Sequence, residues 1–285
     1  MTQSQQQTLA VFQSLWAMEG LPWRTAEPWP LRERVARVAG AGFAGAAVDL
    51  GAREAPAAAE IGPLLREAGL RCQVFAFVGE GRPLEAALAY AAEAGAERVV
   101  VCGQVFPATV AEAAVMVREW LARAGDAGIA VQLETHRYTV TNDLGFTARL
   151  LAEVPEVELS VDLSHYVVGN ELPDGPDSRV EELVGLLLDR AGSLQGRVAT
   201  RGQVQVPLGF AQHRAAVERF RAWWARGFAS WRARAGAGDE CVFHCELGAV
   251  PYAITGADGA ELSDRWAEAL LLKEWAEELF AAAGS

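Results

Sequence analysis

The sequence predicts a (β/α)8 TIM barrel, an α/β fold forming one domain over residues 1–285. Three observations carry that prediction. Short apolar runs alternate with amphipathic Ala/Leu/Glu/Arg segments along the chain, which is the pattern of βαβ units around a parallel sheet. Eight such pairs fit within 285 residues, which suits a closed barrel better than an open sheet. Several of the apolar runs end in acids and imidazoles, and strand ends are where a β/α barrel keeps its chemistry.

The elements follow in order. Ala10–Leu15 is the first apolar run, and a helical pattern over Leu31–Ala39 follows it. Gly45–Leu50 leads into Ala57–Glu67, Cys72–Val78 into Leu84–Ala94, and Arg98–Gly103 into Val110–Ala124. Ile129–Glu134 precedes Asn142–Glu153, and Glu158–Leu163 precedes Ser178–Ala191. Leu194–Thr200 precedes Gln212–Ala233, and Cys241–Glu246 precedes Ser263–Ala282. No Ser/Pro-rich linker divides the chain. The glycine-rich stretches Gly79–Gly81 and Gly256–Gly259 lack the spacing of a dinucleotide or phosphate loop.

Composition narrows the function. A net charge of −12 and a pI near 4.9 argue against nucleic acid, whose phosphates need a basic surface. No apolar run approaches the roughly 20 residues of a membrane helix. The opening MTQSQQQTLA has no basic n-region, so a cytoplasmic location is expected. The expected partner is a small polar molecule, with no nucleic acid and no membrane; a homo-oligomer is left open. Lys273 is the only lysine and falls in the terminal helical segment, which argues against Schiff-base chemistry. Cys72, Cys102, Cys241 and Cys245 lie in or beside apolar runs and read as buried free thiols.

The chemistry concentrates in VQLETHRYTVTNDLGFTARLLAEVPEVELSVDLSHYVV and in CVFHCE. Side chains two apart share a strand face, so Glu134 points with Gln132, Asp162 with Ser160, and Glu246 with His244. If those faces look inward, three carboxylates converge at one end of the barrel. They would repel one another and be pushed toward neutrality, and a divalent cation is the usual resolution. His165, three residues beyond Asp162, is within reach of a substrate there; His136 is either a site residue or structural. His244 is read as core and His213 as a surface residue of the seventh helix. The polar run Gln195, Arg197, Arg201, Gln203 and Gln205 suits sugar hydroxyls, a carboxylate or, through arginine, a phosphate. Trp16 offers an aromatic wall for a sugar ring, whereas Trp223, Trp224, Trp231, Trp266 and Trp275 read as packing.

The pieces FQSLWAM, AGFAGAAVDL, ETHR, DLSHYVV and FHCELG resemble the sugar phosphate isomerase/epimerase family, the xylose-isomerase-like TIM barrels, over nearly the whole chain. The resemblance implies one divalent metal ion (Mn, Mg, Co or Zn) held by residues of strands five to eight. By position, Glu134, Asp162 and Glu246 would be ligands and His165 a substrate contact. Gln195 stands where members of that family carry a ligating histidine, in the triplet Gln195-Gly196-Arg197, and Arg201 has the spacing of a substrate-contacting arginine. The implied activity is isomerisation or epimerisation of a sugar or related polyhydroxy carbonyl compound through an enediolate, with Glu134 and Glu246 moving the proton and His165 and Arg201 holding substrate oxygens. A lyase or dehydratase on the same site is the alternative enzyme. A lapsed barrel that only binds a small ligand is the alternative that Gln195 keeps open.

Overall fold

The computed structural model describes residues 6–51, 54–175 and 177–284. Eight parallel strands close into a barrel in sequence order, each hydrogen-bonded to the next and the last to the first. They are β1 (Thr8–Ser14), β2 (Gly45–Leu50), β3 (Arg71–Gly79), β4 (Arg98–Gln104), β5 (Ala130–Glu134), β6 (Leu159–Val161), β7 (Ala191–Gly196) and β8 (Glu240–Cys245). Around them run α1 (Leu31–Gly40), α2 (Ala58–Glu67), α3 (Leu84–Ala94), α4 (Val110–Asp126), α5 (Leu144–Glu153), α6 (Ser164–Gly169), α7 (Ser178–Leu188), α8 (Arg214–Arg234) and α9 (Arg265–Ala282). Among the described residues no helix is long and apolar enough to cross a membrane.

The helices start where side chains satisfy their free amides. Thr109 and Glu112 form a reciprocal capping box on α4. Asp143, Asp177 and Asp264 accept from the first amides of α5, α7 and α9.

Strand alternation divides the residues into two populations. Val74, Val99, Val101, Leu133, Leu159, Val161, Leu194 and Phe243 face outward and share one core with helix residues such as Ile61, Leu65 and Trp224. Facing inward, Ala10, Phe12 and Val242 form one small apolar cluster, and Ala47, Phe75 and Val100 another. A polar layer accompanies them. His244 Nε2 pairs with Gln73 Oε1 at 2.8 Å, and Ser193 Oγ donates to Gln132 Oε1 at 2.7 Å. Ser193 Oγ also lies 2.9 Å from Ser160 Oγ, which accepts from Gln195 Nε2 at 3.1 Å. The expected inward pairing of Gln132, Ser160 and His244 with the acids above them therefore holds, and His244 is core.

Four expectations need correction. The seventh strand is Ala191–Gly196, not Leu194–Thr200, because Ala191 and Ser193 pair with neighbouring strands while the small residues Ala191, Gly192 and Ser193 do not read as an apolar run. The preceding helix accordingly stops at Leu188 instead of reaching Ala191. The sixth strand is only Leu159–Val161, and the chain turns at once into α6, a short helix that the sequence did not announce. His213 is buried rather than on the surface, with Nδ1 3.0 Å from the Pro207 carbonyl oxygen. The four cysteines are buried and free, as expected.

Gly45 shows how tightly the barrel interior is filled. A Cβ there would collide with the Phe12 ring and lie 2.5 Å from the Arg71 carbonyl oxygen. Gly45→Ala should therefore cost about 1–3 kcal/mol, the range for overpacking. Urea unfolding of the variant measures this; an unchanged midpoint would show that the interior is loosely packed.

Candidate active site

The three sequence-predicted acids meet at the carboxyl ends of the strands. Glu134 closes β5, Asp162 follows β6 and Glu246 follows β8, with 2%, 0% and 6% exposure. One carboxylate oxygen from each lies within 4.8 Å of the others.

Arg197, just beyond β7 and 1% exposed, holds two of them. Its Nε donates to Asp162 Oδ2 at 3.1 Å, and its Nη2 lies 2.8 Å from Glu246 Oε1. Such a fork needs the planar guanidinium, since a lysine is a single point charge. Trp16 Nε1 donates to the same Glu246 oxygen at 3.2 Å, leaving Glu246 Oε2 without a partner among the described residues. Arg197 Nη1 is likewise unpartnered. Asp162 also accepts the Ser164 amide at 2.8 Å, where α6 begins. Thr135 Oγ1 clasps the Asp162 backbone, donating to its carbonyl at 2.9 Å and accepting from its amide at 2.7 Å. The buried Arg265 secures the neighbouring loops by donating to the carbonyls of Ala17, Glu19 and Leu247. This ties the segment carrying Trp16 to the segment carrying Glu246.

Burial sets the protonation of the group. Glu134 is pushed well above the usual carboxylate range, first by desolvation and then by the charge of Glu246. Glu246 is raised to about 7 by burial, against the opposing pull of Arg197. Asp162 is raised by burial as well, but Arg197 and the bonds to Ser164 counter it. Burial alone would lower the Arg197 pKa, yet Glu246 and Asp162 outweigh it and keep the guanidinium charged.

Two imidazoles also lie beside Glu134. The His136 and His165 rings are 3.7 Å apart, and Phe77 meets His136 edge-on at 5.3 Å. Burial pulls His136 down to about 3 and His165 well below its ordinary value, so both are neutral. His165 Nε2 lies 3.4 Å from Asp162 Oδ2 without forming a hydrogen bond.

A cavity of about 370 Å³ opens over the group, lined by Trp16, Phe77, Glu134, His136, Glu246 and Tyr252 among others. Trp16 and Tyr252 meet edge to face at 5.4 Å, and Tyr252 also carries Arg197 at 4.7 Å and Arg137 at 5.2 Å from its ring centre.

Of the sequence-predicted residues, Trp16, Glu134, His136 and Glu246 line this cavity, whereas Asp162, His165, Arg197, Gln195 and Arg201 are not part of its lining. The Gln195 amide nitrogen is committed downward to Ser160, and its Oε1 has no partner among the described residues. Arg197, two residues on, is the one that reaches the acids. Arg201 is exposed, lies 3.5 Å from Glu171, and lines a separate cavity with Asp174 and Arg219.

Sequence reasoning missed several residues that line the cavity, among them Asp49, Cys102 and Tyr252. Asp49, near the end of β2, bears on Glu134 and Glu246 through its charge. Cys102 on β4 donates its Sγ to Glu134 Oε2 at 2.7 Å, and burial holds its thiol protonated. Tyr252 comes from the loop after β8. Asp49 obeys the rule that flagged the other acids, because it nearly closes its own apolar run; the loop-borne Tyr252 carried no such signal.

No protein-family model matches the chain, and no curated protein matches it by sequence. Solved structures do match. An L-ribulose 3-epimerase is 14% identical with a TM-score of 0.63, over 97% of this chain and 96% of that one. A D-allulose 3-epimerase from Methylomonas sp., solved with D-allulose, is 16% identical with a TM-score of 0.58, over 97% and 98%. A xylose isomerase-like TIM barrel protein from Mycobacterium smegmatis, solved with magnesium, is 17% identical with a TM-score of 0.58, over 99% and 100%. At such identities the likeness establishes the fold.

Removing Arg197 tests what holds the mouth together. Arg197→Met strands two buried carboxylates and should cost about 3–5 kcal/mol near pH 8, where the acids would otherwise ionise. The loss should shrink near about pH 5, where protonation neutralises the acids without Arg197. Denaturant titrations at both pH values measure this; equal losses would mean that charge compensation is not the role of Arg197.

Proposed function

We propose that this barrel is an isomerase or epimerase of a small polyhydroxy carbonyl compound, with Glu134 and Glu246 as the proton-transferring pair. The observation that carries the reading is how these two carboxyls are held. Each is buried and tethered through one oxygen: Glu134 Oε2 by Cys102, and Glu246 Oε1 by Arg197 and Trp16. The second oxygen of Glu246 is left for a substrate proton. A carboxyl raised to about 7 exchanges protons readily near neutral pH, which is what abstraction next to a carbonyl and return of the proton require.

The surrounding residues suit the same chemistry. Abstraction converts a hydroxy carbonyl compound to its enediolate, and the negative charge develops on substrate oxygens. The unpartnered Nη1 of Arg197 is a fixed donor for such an oxygen. Trp16 and Tyr252 supply flat apolar surface for the C–H face of a sugar. The names of the structural neighbours, L-ribulose 3-epimerase and D-allulose 3-epimerase, support this substrate class.

A divalent cation fits the acids. With Glu134, Asp162 and Glu246 ionised and Arg197 opposing them, the group carries about two negative charges. Its donors are all oxygen, the set that suits Mg2+ or Mn2+. Glu134, Asp162 and Glu246 would hold the ion; Gln195, expected as a further ligand, has its amide nitrogen committed to Ser160. When bound, such an ion would polarise the substrate carbonyl as a Lewis acid. In its absence the group reaches the same neutrality by keeping protons on Glu134 and Glu246, in line with their raised pKa values.

Two experiments test the reading. Ketopentoses and ketohexoses incubated in D2O with Mg2+ or Mn2+ should gain deuterium next to the carbonyl, followed by NMR. Glu246→Gln and Glu134→Gln should each slow exchange by about 10²–10⁴-fold, the weight of a general acid or base; exchange that survives either change sinks the assignment. A product lighter by one water would point to the dehydratase alternative instead. Separately, adding Mg2+ should release protons, and more near about pH 6 than near about pH 8, because Glu246 protonates as the pH falls through about 7. Release that does not vary with pH would show that the cation does not bind at these acids.

A further inference from the structure

The His136 and His165 imidazoles are not explained by the carboxylate group, and their arrangement is specific. His136 Nδ1 lies 2.5 Å from the Arg137 carbonyl oxygen. A carbonyl cannot donate, so Nδ1 bears the proton and Nε2 carries the lone pair. That is how ligating histidines are oriented, with one ring nitrogen donating to a carbonyl and the other turned to the ion. His165 is 1% exposed, and neither of its ring nitrogens has a hydrogen-bond partner among the described residues. A buried polar group left wholly unsatisfied calls for an explanation, and a bound ion is a standard one. One ligand atom each from Glu134, His136 and His165 lies within 4.8 Å of the other two.

We propose that Glu134, His136 and His165 form a second cation site, selective for a borderline divalent transition ion of the Zn2+ and Co2+ class. Two imidazoles and one carboxylate are the donors such ions prefer, leaving further positions for water or substrate. The three-carboxylate group beside it is hard and suits Mg2+. The two sites share Glu134 but differ in donor chemistry, so this inference goes beyond the proposed activity and does not depend on it. Phe77 against His136 limits the freedom of that ring.

The test titrates metal-free full-length protein with Co2+ and, separately, with Mg2+, following Co2+ by its visible ligand-field absorption and Mg2+ by calorimetry. The native protein should bind Co2+ with a spectrum indicating nitrogen ligation. His136→Asn and His165→Asn should each weaken Co2+ by more than the roughly 10–100-fold that loss of an orienting partner alone costs, with Mg2+ affinity unchanged. Asp162→Asn should do the reverse, weakening Mg2+ and sparing Co2+. Circular dichroism of each variant separates loss of a ligand from loss of fold, and competition of Mg2+ against Co2+ on unmutated protein gives the same answer without substitution. Full displacement of Co2+ by Mg2+, Co2+ affinity unchanged in both histidine variants, or no Co2+ binding by native protein would each overturn the second site. The Mg2+ arm alone reports on the carboxylate site of the proposed function.

Discussion

The mouth of this barrel depends on one buried guanidinium. Asp162 and Glu246 are withdrawn from water at the ends of β6 and β8, and each would be costly to ionise there alone. Arg197 bridges them, with Nε on one acid and Nη2 on the other. It can do so because β7 begins at Ala191, which carries Gly196 to the end of the strand and sets Arg197 just above the barrel rim. Trp16, Tyr252 and the Thr135 clasp then gather around a group whose charge is already partly balanced. Buried ion pairs give little net stability but make the loss of either partner expensive. The arrangement therefore specifies geometry more than it adds stability.

Below that rim the interior is unusual for a β/α barrel. Where branched apolar side chains commonly fill the layers, Gln73 pairs with His244 and Gln132, Ser193, Ser160 and Gln195 form a hydrogen-bonded chain. This layer gives the acids above it a polar floor. It also accounts for the behaviour of Gln195. A side chain two residues below Arg197 finds Ser160 at hydrogen-bonding distance, so its amide turns into the barrel and away from the acids.

The architecture was legible because a parallel barrel writes itself as apolar runs between amphipathic helices, and six of the eight strands overlap their expected ranges closely. β7 was displaced because Ala191, Gly192 and Ser193 are too small to read as an apolar run, while Val198 and Ala199 beyond the strand are buried and mimic one. The site was legible to the same degree. Glu134, Asp162 and Glu246 sit at strand ends, where position alone predicts convergence, and the structure brings them within 4.8 Å. Arg197 and Gln195 were harder because both point inward, and side-chain reach rather than position decides which one meets the acids. Arg201 has the right spacing along the chain, but the loop carries it out toward Glu171.

Glu134 is where the local constraints meet. Its strand lies between β4 and β6, so it receives Cys102 from one neighbour and faces Asp162 from the other. Two residues later the chain turns to place His136 against His165. Desolvation and the nearby acids push Glu134 toward its protonated form, and only a thiol hydrogen bond opposes them. Arg197 forms its ion pairs with Asp162 and Glu246 and reaches Glu134 through the field of its charge alone, so Glu134 depends on whatever enters the cavity to settle its charge. A substrate proton, a hard cation among the oxygens or a softer one among the imidazoles would each settle it differently. The fold admits many chemistries, and the choice among them falls to this residue and the groups that touch it.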